Sequence, residues 1–430
     1  MKKYDQYKDS GVEWLGEIPE HWELSRLGTL LNPISTNNRT DLPLLSITRE
    51  KGVILRDLDN EEDNHNFIPD DLSNYKMVKK GQFGMNKMKA WQGSYGISDY
   101  DGIVSPAYFI FEVDSKIQPK YFHASVRSKL YISFFGSASD GVRIGQWDLS
   151  KPRMKQIPFL IPPKKEQTEI ANFLDDKTAK IDKAIAIKQK QIELLKERRQ
   201  ILIHKAVTRG LNDDVKLKES SVEWIGDIPE HWEVLPITKY STRIDYRGKT
   251  PEKVEDGIFL ITTKNIKEGK IDYENSKEYV LDKHYNSIMS RGVPAIGDIL
   301  FTMEAPLGMS AVVNRTDVAI AQRIIKFNFC NVKFDSTFVN YSIQSEYFQT
   351  HLKKEATGST AQGIKASKLH KLKIITPKIE EQQEIVEFIE TSTTKIATAI
   401  SLKEQEIEKL KEYKMSLIDA VVTGRVRVVS

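Results

Sequence analysis

The chain has 430 residues, of which 40% are hydrophobic and 29% are charged, and its formal net charge is +4. This composition is typical of a globular protein of about two to four domains, and no apolar run reaches the roughly 18 residues of a membrane-spanning helix. The single cysteine, Cys330, excludes an intramolecular disulfide and a cysteine-based zinc site. Because the N-terminus also lacks the apolar core of a signal peptide, we expect a soluble cytoplasmic protein.

The chain begins with an aromatic arm, residues 1–23, whose sequence returns in the middle of the protein. The stretch SGVEWLGEIPEHWE at residues 10–23 is repeated as SSVEWIGDIPEHWE at residues 220–233. A repeat of about half the chain is too long for a solenoid unit. We therefore predict two related halves, a pseudo-dimer, in which tryptophans pack each arm onto the scaffold with His21 and His231 hydrogen-bonded nearby.

The first variable region, residues 24–156, has segregated charge and short strand-like runs. Residues 57–71 contain acidic residues but no lysine or arginine, whereas residues 72–98 contain lysines and no acid. Such a basic face suits a phosphate backbone, although a solvated loop explains it equally well. Runs at residues 44–48 and 102–113 predict strands of a mixed α+β domain with a curled sheet.

Candidate DNA contacts in this region combine cations, amides, a hydroxyl and aromatic rings around a glycine-containing segment. Cations neutralise phosphates, whereas amides and hydroxyls hydrogen-bond base edges. Singly, each such residue more often belongs to an ordinary surface loop. The predicted contacts are Arg49, Lys79, Lys80, Asn86, Lys87, Lys89, Trp91, Gln92, Ser94, Tyr95 and Arg143.

Two long charged helices follow the variable regions, within residues 157–212 and 374–430. Apolar residues recur every seven positions with interleaved spacings of three and four, which predicts an intramolecular coiled coil. Pseudo-twofold symmetry favours an antiparallel pair, and the alternative is that each helix only covers its own globule. The predicted seam residues are Leu174, Ile181, Ile185, Ile192, Leu195, Leu202, Ile389, Ile396, Ile400, Ile407, Leu410 and Leu417.

The second half repeats this order, with an arm at residues 213–233 and a variable region at residues 234–373. Strand-like runs recur at residues 259–263 and 318–329. Sequences between these anchors hardly match, so we expect the halves to share a scaffold but not a surface. The predicted DNA contacts here are Arg247, Lys249, Lys264, Asn265, Gln322, Arg323, Gln362 and Lys365.

Motifs of catalysis are missing from the chain. The RGKT sequence at residues 247–250 resembles the end of a phosphate-binding loop, but Arg243 stands where the first glycine is required. Neither His21 nor His231 lies at metal-ligand spacing from another histidine. We therefore predict a non-catalytic chain that has no catalytic residue, no metal and no cofactor of its own.

Three repeated features occur together. They are the doubled arm, the Gly-Ser stretches that begin at Gly136 and Gly358, and the helix entries EQTEI at residues 166–170 and EQQEI at residues 381–385. With this combination the chain resembles, over its whole length, the specificity subunit of Type I restriction-modification systems, the HsdS family. The resemblance implies two globular target-recognition domains separated by two long helices that form an antiparallel coiled coil.

The resemblance also implies partners and a mechanism. Residues 24–156 and 234–373 would each recognise one half of a bipartite, asymmetric double-stranded DNA site, and the helices would set the spacer. The helices would also dock two modification (methyltransferase) subunits, which restriction (translocase/endonuclease) subunits join. The cofactors S-adenosylmethionine and ATP would belong to those partners. Individual base contacts do not carry over, because recognition loops vary within the family.

Two alternatives stay open. One is the recognition part of a Type II-like single-chain enzyme or of another modification system, which the missing catalytic motifs disfavour. The other is a scaffold protein that binds no DNA.

Overall fold

The computed structural model describes residues 2–57, 68–141, 147–246, 251–329, 333–358 and 362–428. The chain divides into two compact units: unit 1 comprises Met1–Gln189 and Glu404–Ser430, and unit 2 comprises Lys190–Lys403. Each unit therefore contains one arm, one variable region and part of each long helix. The predicted contacts Arg143, Arg247 and Lys249 lie outside the described residues.

Unit 1 consists of short strands and helices around a four-stranded sheet. Its strands are β1 (Tyr7–Asp9), β2 (Glu17–Pro19), β3 (Glu23–Arg26), β4 (Leu31–Ile34), β5 (Leu45–Thr48), β6 (Gly52–Leu55), β7 (Lys76–Val78), β8 (Phe83–Met85), β9 (Tyr95–Ile97), β10 (Gly102–Val104), β11 (Phe109–Val113), β12 (Ser139–Asp140), β13 (Asp148–Leu149) and β14 (Pro158–Ile161). Its helices are α1 (Leu27–Leu30), α2 (Pro119–Val126), α3 (Lys129–Ser137), α4 (Lys151–Gln156) and the first part of α5 (Lys164–Arg209), with a 3-10 helix at Lys87–Gln92.

The sheet of unit 1 is antiparallel, with the strand order β4-β11-β8-β9. Apolar side chains of its inner face and of α2 meet in one core. The ring of Phe83 lies 6.1 Å from that of Phe111 and 5.1 Å from that of Phe122. Strands β5 and β6 form a hairpin beside this sheet, and β7 pairs with β10. The sheet is thus a rigid base from which the connecting loops extend.

Unit 2 repeats this construction with its own elements. Its strands are β15 (Leu217–Glu219), β16 (Asp227–Pro229), β17 (Glu233–Pro236), β18 (Thr242–Asp245), β19 (Ile258–Ile261), β20 (Ile266–Lys267), β21 (Lys270–Ile271), β22 (Tyr279–Val280), β23 (Ile299–Thr302), β24 (Ser310–Val312), β25 (Val318–Ile320), β26 (Ile324–Asn328) and β27 (Lys373–Thr376). Its helices are the rest of α5, α6 (Tyr285–Ile288), α7 (Ser336–Gln344), α8 (Glu346–Glu355) and the first part of α9 (Ile379–Val422), with 3-10 helices at Thr263–Asn265, Asp282–His284 and Ala366–Lys371.

The main sheet of unit 2 has the matching order β18-β26-β23-β24 and is also antiparallel. A second sheet, β22-β19-β25, contains the parallel pair β19–β25. Phe301 and Phe327 are fully buried at the centre of the core. In unit 1 the matching strands β8 and β11 likewise contribute buried aromatic side chains, Phe83 and Phe111, so the two units have equivalent frames.

The arms pack onto these frames mainly through one tryptophan each. Trp22 and Trp232 are fully buried, as the sequence predicts. Trp224 is half-buried and stacks on His351 with 4.0 Å between ring centroids. Trp14, by contrast, is 59% exposed, and its ring lies 6.1 Å from that of Phe134, so it packs on the scaffold at one side only. Its position in the turn between β1 and β2 leaves it too few neighbours to cover the indole.

The two long helices pair within each unit. In unit 1, Asp182 of α5 pairs with Lys414 of α9 at 2.7 Å, and Lys188, further along α5, pairs with Glu406, earlier in α9. Residue numbers therefore run in opposite directions, which confirms the antiparallel coiled coil. The predicted seam residues are all buried or half-buried. Among the described residues, no helix combines the length and apolarity needed to cross a membrane.

Two of the strand-like runs in the sequence do not form single strands. The runs at residues 102–113 and 318–329 are each broken into two strands, because 105–108 and 321–323 form loops. Arg323 has φ +73°, a left-handed conformation that no strand residue adopts. The two Gly-Ser stretches also differ in structure, because Gly136 lies inside α3, whereas Gly358 has a positive φ of 115°.

Candidate nucleic-acid interface

Four loops of unit 2 converge beside the sheet edge: residues 262–265, 303–308, 321–323 and 362–364, here called the loop cluster of unit 2. The Thr263 hydroxyl donates to the Ala305 carbonyl oxygen at 3.0 Å. The Met303 amide donates to the Arg323 carbonyl at 2.8 Å, and the Ile364 amide donates to the Met303 carbonyl at 3.0 Å. These bonds join segments that are distant in sequence into one surface.

The backbone of this cluster is strained at two points. Ala305 has φ +48° and Arg323 has φ +73°, and neither is a glycine. Such conformations cost about 1–3 kcal/mol each and persist only where surrounding contacts fix them. Strained residues of this kind concentrate at functional sites, which directs attention to this cluster.

Three of the predicted contacts lie together here. Lys264 and Arg323 are exposed and Gln322 is half-buried, and all three line a cleft of about 260 Å³. The Nε atom of Arg323 lies 3.0 Å from Oε1 of Glu304. The structure therefore collects a lysine, an amide and a guanidinium on one face, the combination that phosphate and base contacts require.

Asn265 has a structural role instead. It is fully buried, and its Oδ1 accepts hydrogen bonds from the Thr262 amide at 2.9 Å and the Thr262 hydroxyl at 2.8 Å. Its Nδ2 donates to the Asp272 carbonyl at 3.0 Å. Because these groups use its hydrogen-bonding capacity, the prediction that Asn265 contacts DNA is not supported.

Gln362 and Lys365 lie on the remaining side of the cluster. Both are exposed, and Gln362 lines a second cleft of about 350 Å³ with Pro306 and Leu352. Lys365 precedes the 3-10 helix Ala366–Lys371. The amide and the lysine thus extend the polar surface of the cluster.

The equivalent loops of unit 1, residues 49–51, 86–94, 105–108 and 147–148, form the loop cluster of unit 1. Arg49 is exposed in the turn between β5 and β6. The Asn86 side chain caps the 3-10 helix by accepting from the Met88 amide at 3.2 Å, and its Nδ2 donates to the Tyr108 hydroxyl at 3.3 Å. Asn86 therefore holds the cluster together and is itself buried.

Ser94 and Tyr95 are enclosed by the core of unit 1. Ser94 is 2% exposed and Tyr95 is 0% exposed. The Tyr95 ring lies 4.4 Å from that of Phe135, and burial raises the pKa of Tyr95 well above its ordinary range. A ligand outside the fold cannot reach either side chain, so the prediction that they contact DNA is wrong.

The segment between these positions remains accessible. Lys89 is exposed and Gln92 is half-buried. Lys87 forms an ion pair with Asp148 at 2.9 Å, and the Trp91 ring lies 5.2 Å from that of Trp147. This indole pair and the ion pair join the 3-10 helix Lys87–Gln92 to residues 147–148.

Lys79 and Lys80 are exposed in the turn before β8. Their backbone amides are fixed, because the Lys79 amide donates to Gln82 Oε1 at 2.8 Å and the Lys80 amide donates to Asp101 Oδ1 at 2.7 Å. The two side chains therefore leave a defined turn with their ammonium groups in solvent.

Arg127, which the sequence does not single out, organises the cluster of unit 1. Its guanidinium donates to the carbonyls of Arg49 and Glu50 at 2.7 Å each, of Tyr95 at 2.8 Å and of Gly93 at 3.2 Å. Burial lowers the pKa of Arg127. No motif reveals this role, because the acceptors are backbone carbonyls, which every residue has.

The histidines of the arms join each arm to the start of a long helix. In unit 1, His21 Nε2 lies 2.8 Å from Glu166 Oε2, and the Trp22 indole donates to Glu166 Oε1 at 3.2 Å. Tyr4 donates a further hydrogen bond to the same carboxylate. In unit 2, His231 lies 2.9 Å from Glu381. The predicted hydrogen bonding of both histidines is thereby confirmed, and the EQxEI glutamates are explained as their acceptors.

Within the described ranges, no group of three or more His, Cys, Asp or Glu side chains could hold a metal ion.

Comparison with known proteins gives a consistent result. The family model described as "Type I restriction modification DNA specificity domain" matches residues 19–197 and 245–412. The chain is 29% identical over 306 residues to the Type I restriction enzyme MjaVIII specificity subunit of Methanocaldococcus jannaschii, covering 69% of this chain and 68% of that protein. It is 25% identical over 269 residues to the Type I restriction enzyme EcoBI specificity subunit of Escherichia coli, covering 60% of this chain and 56% of that protein.

Two solved structures share the fold. A chain from a structure on complex assembly and conformational transition of the type I R-M system has a TM-score of 0.69 at 14% identity, covering 94% of this chain and 98% of that one. The HsdS subunit from Thermoanaerobacter tengcongensis has a TM-score of 0.54 at 14% identity, covering 97% of this chain and 100% of that one.

Proposed function

The chain belongs to the Type I restriction modification DNA specificity domain family, and we propose that it is the DNA sequence-specificity subunit of a Type I restriction-modification complex. The observation that carries this proposal is the double match of the family model, to residues 19–197 and 245–412. The equivalent sheets of the two units and their dissimilar loop clusters support the same function.

Each variable region is proposed to recognise one half of a bipartite DNA site. Residues 24–156 would bind the first half-site and residues 234–373 the second. The arms (1–23 and 213–233) and the helical regions (157–212 and 374–430) would form the frame between them. Since the two loop clusters carry different side chains, the two half-sites would differ, and the whole site would not be a palindrome.

Recognition combines two physical contributions. Exposed cations such as Lys79, Lys80 and Lys89 in unit 1 and Lys264 and Lys365 in unit 2 would neutralise phosphates and release counterions, which gives affinity without sequence preference. Amide and guanidinium groups at base edges then discriminate by about 1–3 kcal/mol per bidentate contact. Two modest domains that bind together also gain affinity only at the correct spacing.

The long helices are proposed to set that spacing and to dock partner subunits. In unit 1 the paired helices are joined by the ion pairs Asp182–Lys414 and Lys188–Glu406, which suits a rigid spacer. Two modification subunits would bind the complex and methylate an adenine that they extract from the base stack, and restriction subunits would join them. Catalysis and its cofactors would belong to these partners.

The test is selection of bound duplexes from a random pool by this chain in complex with its modification subunits, at several salt concentrations. We expect enrichment of two unlike half-sites at a fixed separation, with affinity falling steeply as salt rises. Absence of any split motif would refute DNA specificity, and methyl transfer by the chain alone would favour a single-chain enzyme instead.

A further inference from the structure

Arg323 and Glu304 form an ion pair in the loop cluster of unit 2. The Arg323 Nε lies 3.0 Å from Glu304 Oε1, and the side chain of Arg323 is 50% exposed. Within the part of the chain that the structure describes, its terminal nitrogens Nη1 and Nη2 have no hydrogen-bond partner. One edge of the guanidinium is thus fixed while the other faces solvent.

The backbone presents this side chain in a fixed direction. Arg323 has φ +73°, an unfavourable value for a residue with a Cβ atom. The conformation is held by the Met303 amide, which donates to the Arg323 carbonyl at 2.8 Å, and by the Ala321 amide, which donates to the Ile261 carbonyl at 2.8 Å. A strained residue that its neighbours fix in this way is typical of a binding site.

We propose that Arg323 recognises a guanine in the half-site of the second recognition domain, and that Glu304 is the residue that positions it. This inference rests on the proposed function. The guanidinium fork donates two parallel hydrogen bonds, which match O6 and N7 of guanine in the major groove. The ion pair of Nε with the Glu304 carboxylate orients the fork before DNA arrives.

The pairing with Glu304 distinguishes base recognition from phosphate binding. A neighbouring carboxylate cancels much of the attraction of a guanidinium for a phosphate. The carboxylate does not change the arrangement of the guanidinium N–H donors, and recognition of a base edge depends on that arrangement. Lys264, exposed beside the same cleft of about 260 Å³, is the cation suited to the backbone.

Only the second half-site should contain this guanine. Arg323 lies in the three-residue loop between β25 and β26, and the loop between the matching strands β10 and β11 is 105–108, with the sequence Ser-Pro-Ala-Tyr. The loop 105–108 itself contains no arginine, so the two matching loops differ in chemistry.

The experiment compares the full chain with Arg323→Ala, Arg323→Lys and Glu304→Gln, each in complex with the modification subunits, by sequencing duplexes selected from a random pool. We expect Arg323→Ala and Arg323→Lys to lose about 5- to 150-fold of the preference for guanine at one position of one half-site. Glu304→Gln should lose part of that preference at the same position. Arg315→Ala, which removes an exposed guanidinium paired with Asp317, is the matched control and should change neither half-site.

Each other outcome contradicts the proposal. If Arg323→Ala weakens binding to all sequences equally and lowers the salt dependence by about one phosphate, Arg323 is a phosphate contact. If Arg323→Lys or Glu304→Gln keeps the full guanine preference, the guanidinium fork does not recognise the base. These two variants also test the proposal if the alanine variant does not fold. An unmodified chain that selects no split motif refutes the proposed function as well, whereas a split motif that Arg323→Ala leaves unchanged refutes this inference alone.

Discussion

The two loop clusters are held by different chemistry although they stand on equivalent sheets. In unit 1 the half-buried guanidinium of Arg127 donates to four backbone carbonyls below Gly52. In unit 2 the corresponding place below Gly269 is occupied by Gln344, and the side-chain amide of Asn340, one turn earlier in α7, donates to the Gly269 carbonyl at 3.0 Å. A charged clamp in one unit is therefore replaced by a neutral amide in the other.

The outer surface differs in the same way. Trp91 and Trp147 pack together in unit 1, whereas Pro306 and Gln362 line an open cleft of about 350 Å³ in unit 2. These exchanges leave the sheets unchanged because the loops lie outside the two cores. The comparison teaches that a duplicated frame can keep its packing while each recognition surface changes independently.

The equivalence of the frames is tested most strongly by the buried arm tryptophans. Trp22→Ala and Trp232→Ala should each lower the free energy of unfolding by about 3–5 kcal/mol, because each removes a fully buried indole. Denaturant unfolding measures the free energy of unfolding of both variants. Trp14→Ala, at a site that is 59% exposed, is the control and should change this free energy by less than about 0.5 kcal/mol. A large effect at only one of the two sites would contradict equivalent frames.

The next largest effect is the loss of stability of unit 1 at acid pH, which we expect from His123. Burial, followed by the charge of Arg127, lowers the pKa of His123 from its ordinary value of 6.5 to about 4. The neutral ring accepts a hydrogen bond from the Ile97 amide at 3.1 Å. Because the unfolded chain binds this proton more readily, the stabilisation is complete above pH 6.5 and is lost as the pH falls towards 4.

We expect protonation of His123 to lower the free energy of unfolding of unit 1 by about 3 kcal/mol. His123→Gln should remove most of it, as measured by unfolding at neutral and acid pH. His351→Gln in unit 2, where burial also lowers the pKa of the histidine, is the matched comparison. Equal acid sensitivity of the wild type and His123→Gln would contradict the assignment.

The charged and neutral clamps should also differ when each is removed. Arg127→Ala leaves four carbonyl oxygens without this donor and should lower the free energy of unfolding by about 2 kcal/mol. Asn340→Ala, which removes the hydrogen bond to the Gly269 carbonyl, should lower it by about 1 kcal/mol. Hydrogen exchange of residues 49–52 and 93–95 in the first variant, and of residues 268–271 in the second, reports local loosening. Faster exchange throughout the unit would instead indicate a general loss of stability.

The smallest effects concern single phosphate contacts. Lys89→Gln in unit 1 and Lys264→Gln in unit 2 should each reduce the slope of log affinity against log salt by about 0.9 without altering base preference. Lys411→Gln, in a lysine that pairs with Glu408 on α9, should leave the slope unchanged. A change of base preference in either loop variant would mean that the lysine contacts a base.

Much of the frame could be predicted because periodic patterns reflect local geometry. The heptad spacing from Leu174 to Ile185 requires a buried stripe, and antiparallel pairing within unit 1 satisfies it. The repeated tryptophans Trp22 and Trp232 are likewise buried at equivalent places. Trp14 and Gly136 show the limit of this reasoning, since a repeated residue need not have a repeated environment.

The site was less predictable than the frame. Asn86, Ser94, Tyr95 and Asn265 have suitable chemistry for DNA, but all four are buried. Polar residue type alone does not distinguish a base contact from a cap or a core hydroxyl. Their burial depends on contacts with residues far away in sequence, which no local pattern contains.

The sequence by itself determined the duplication, the two long helices with their seam, and the family, because each of these is encoded in repeats that survive without coordinates. The tertiary structure alone decided where the strands stop, which polar side chains reach solvent, and how Arg127 and Arg323 are held. The reason is physical: helix periodicity follows from neighbouring residues. A loop cluster is instead fixed by hydrogen bonds between segments, such as that from the Met303 amide to the Arg323 carbonyl.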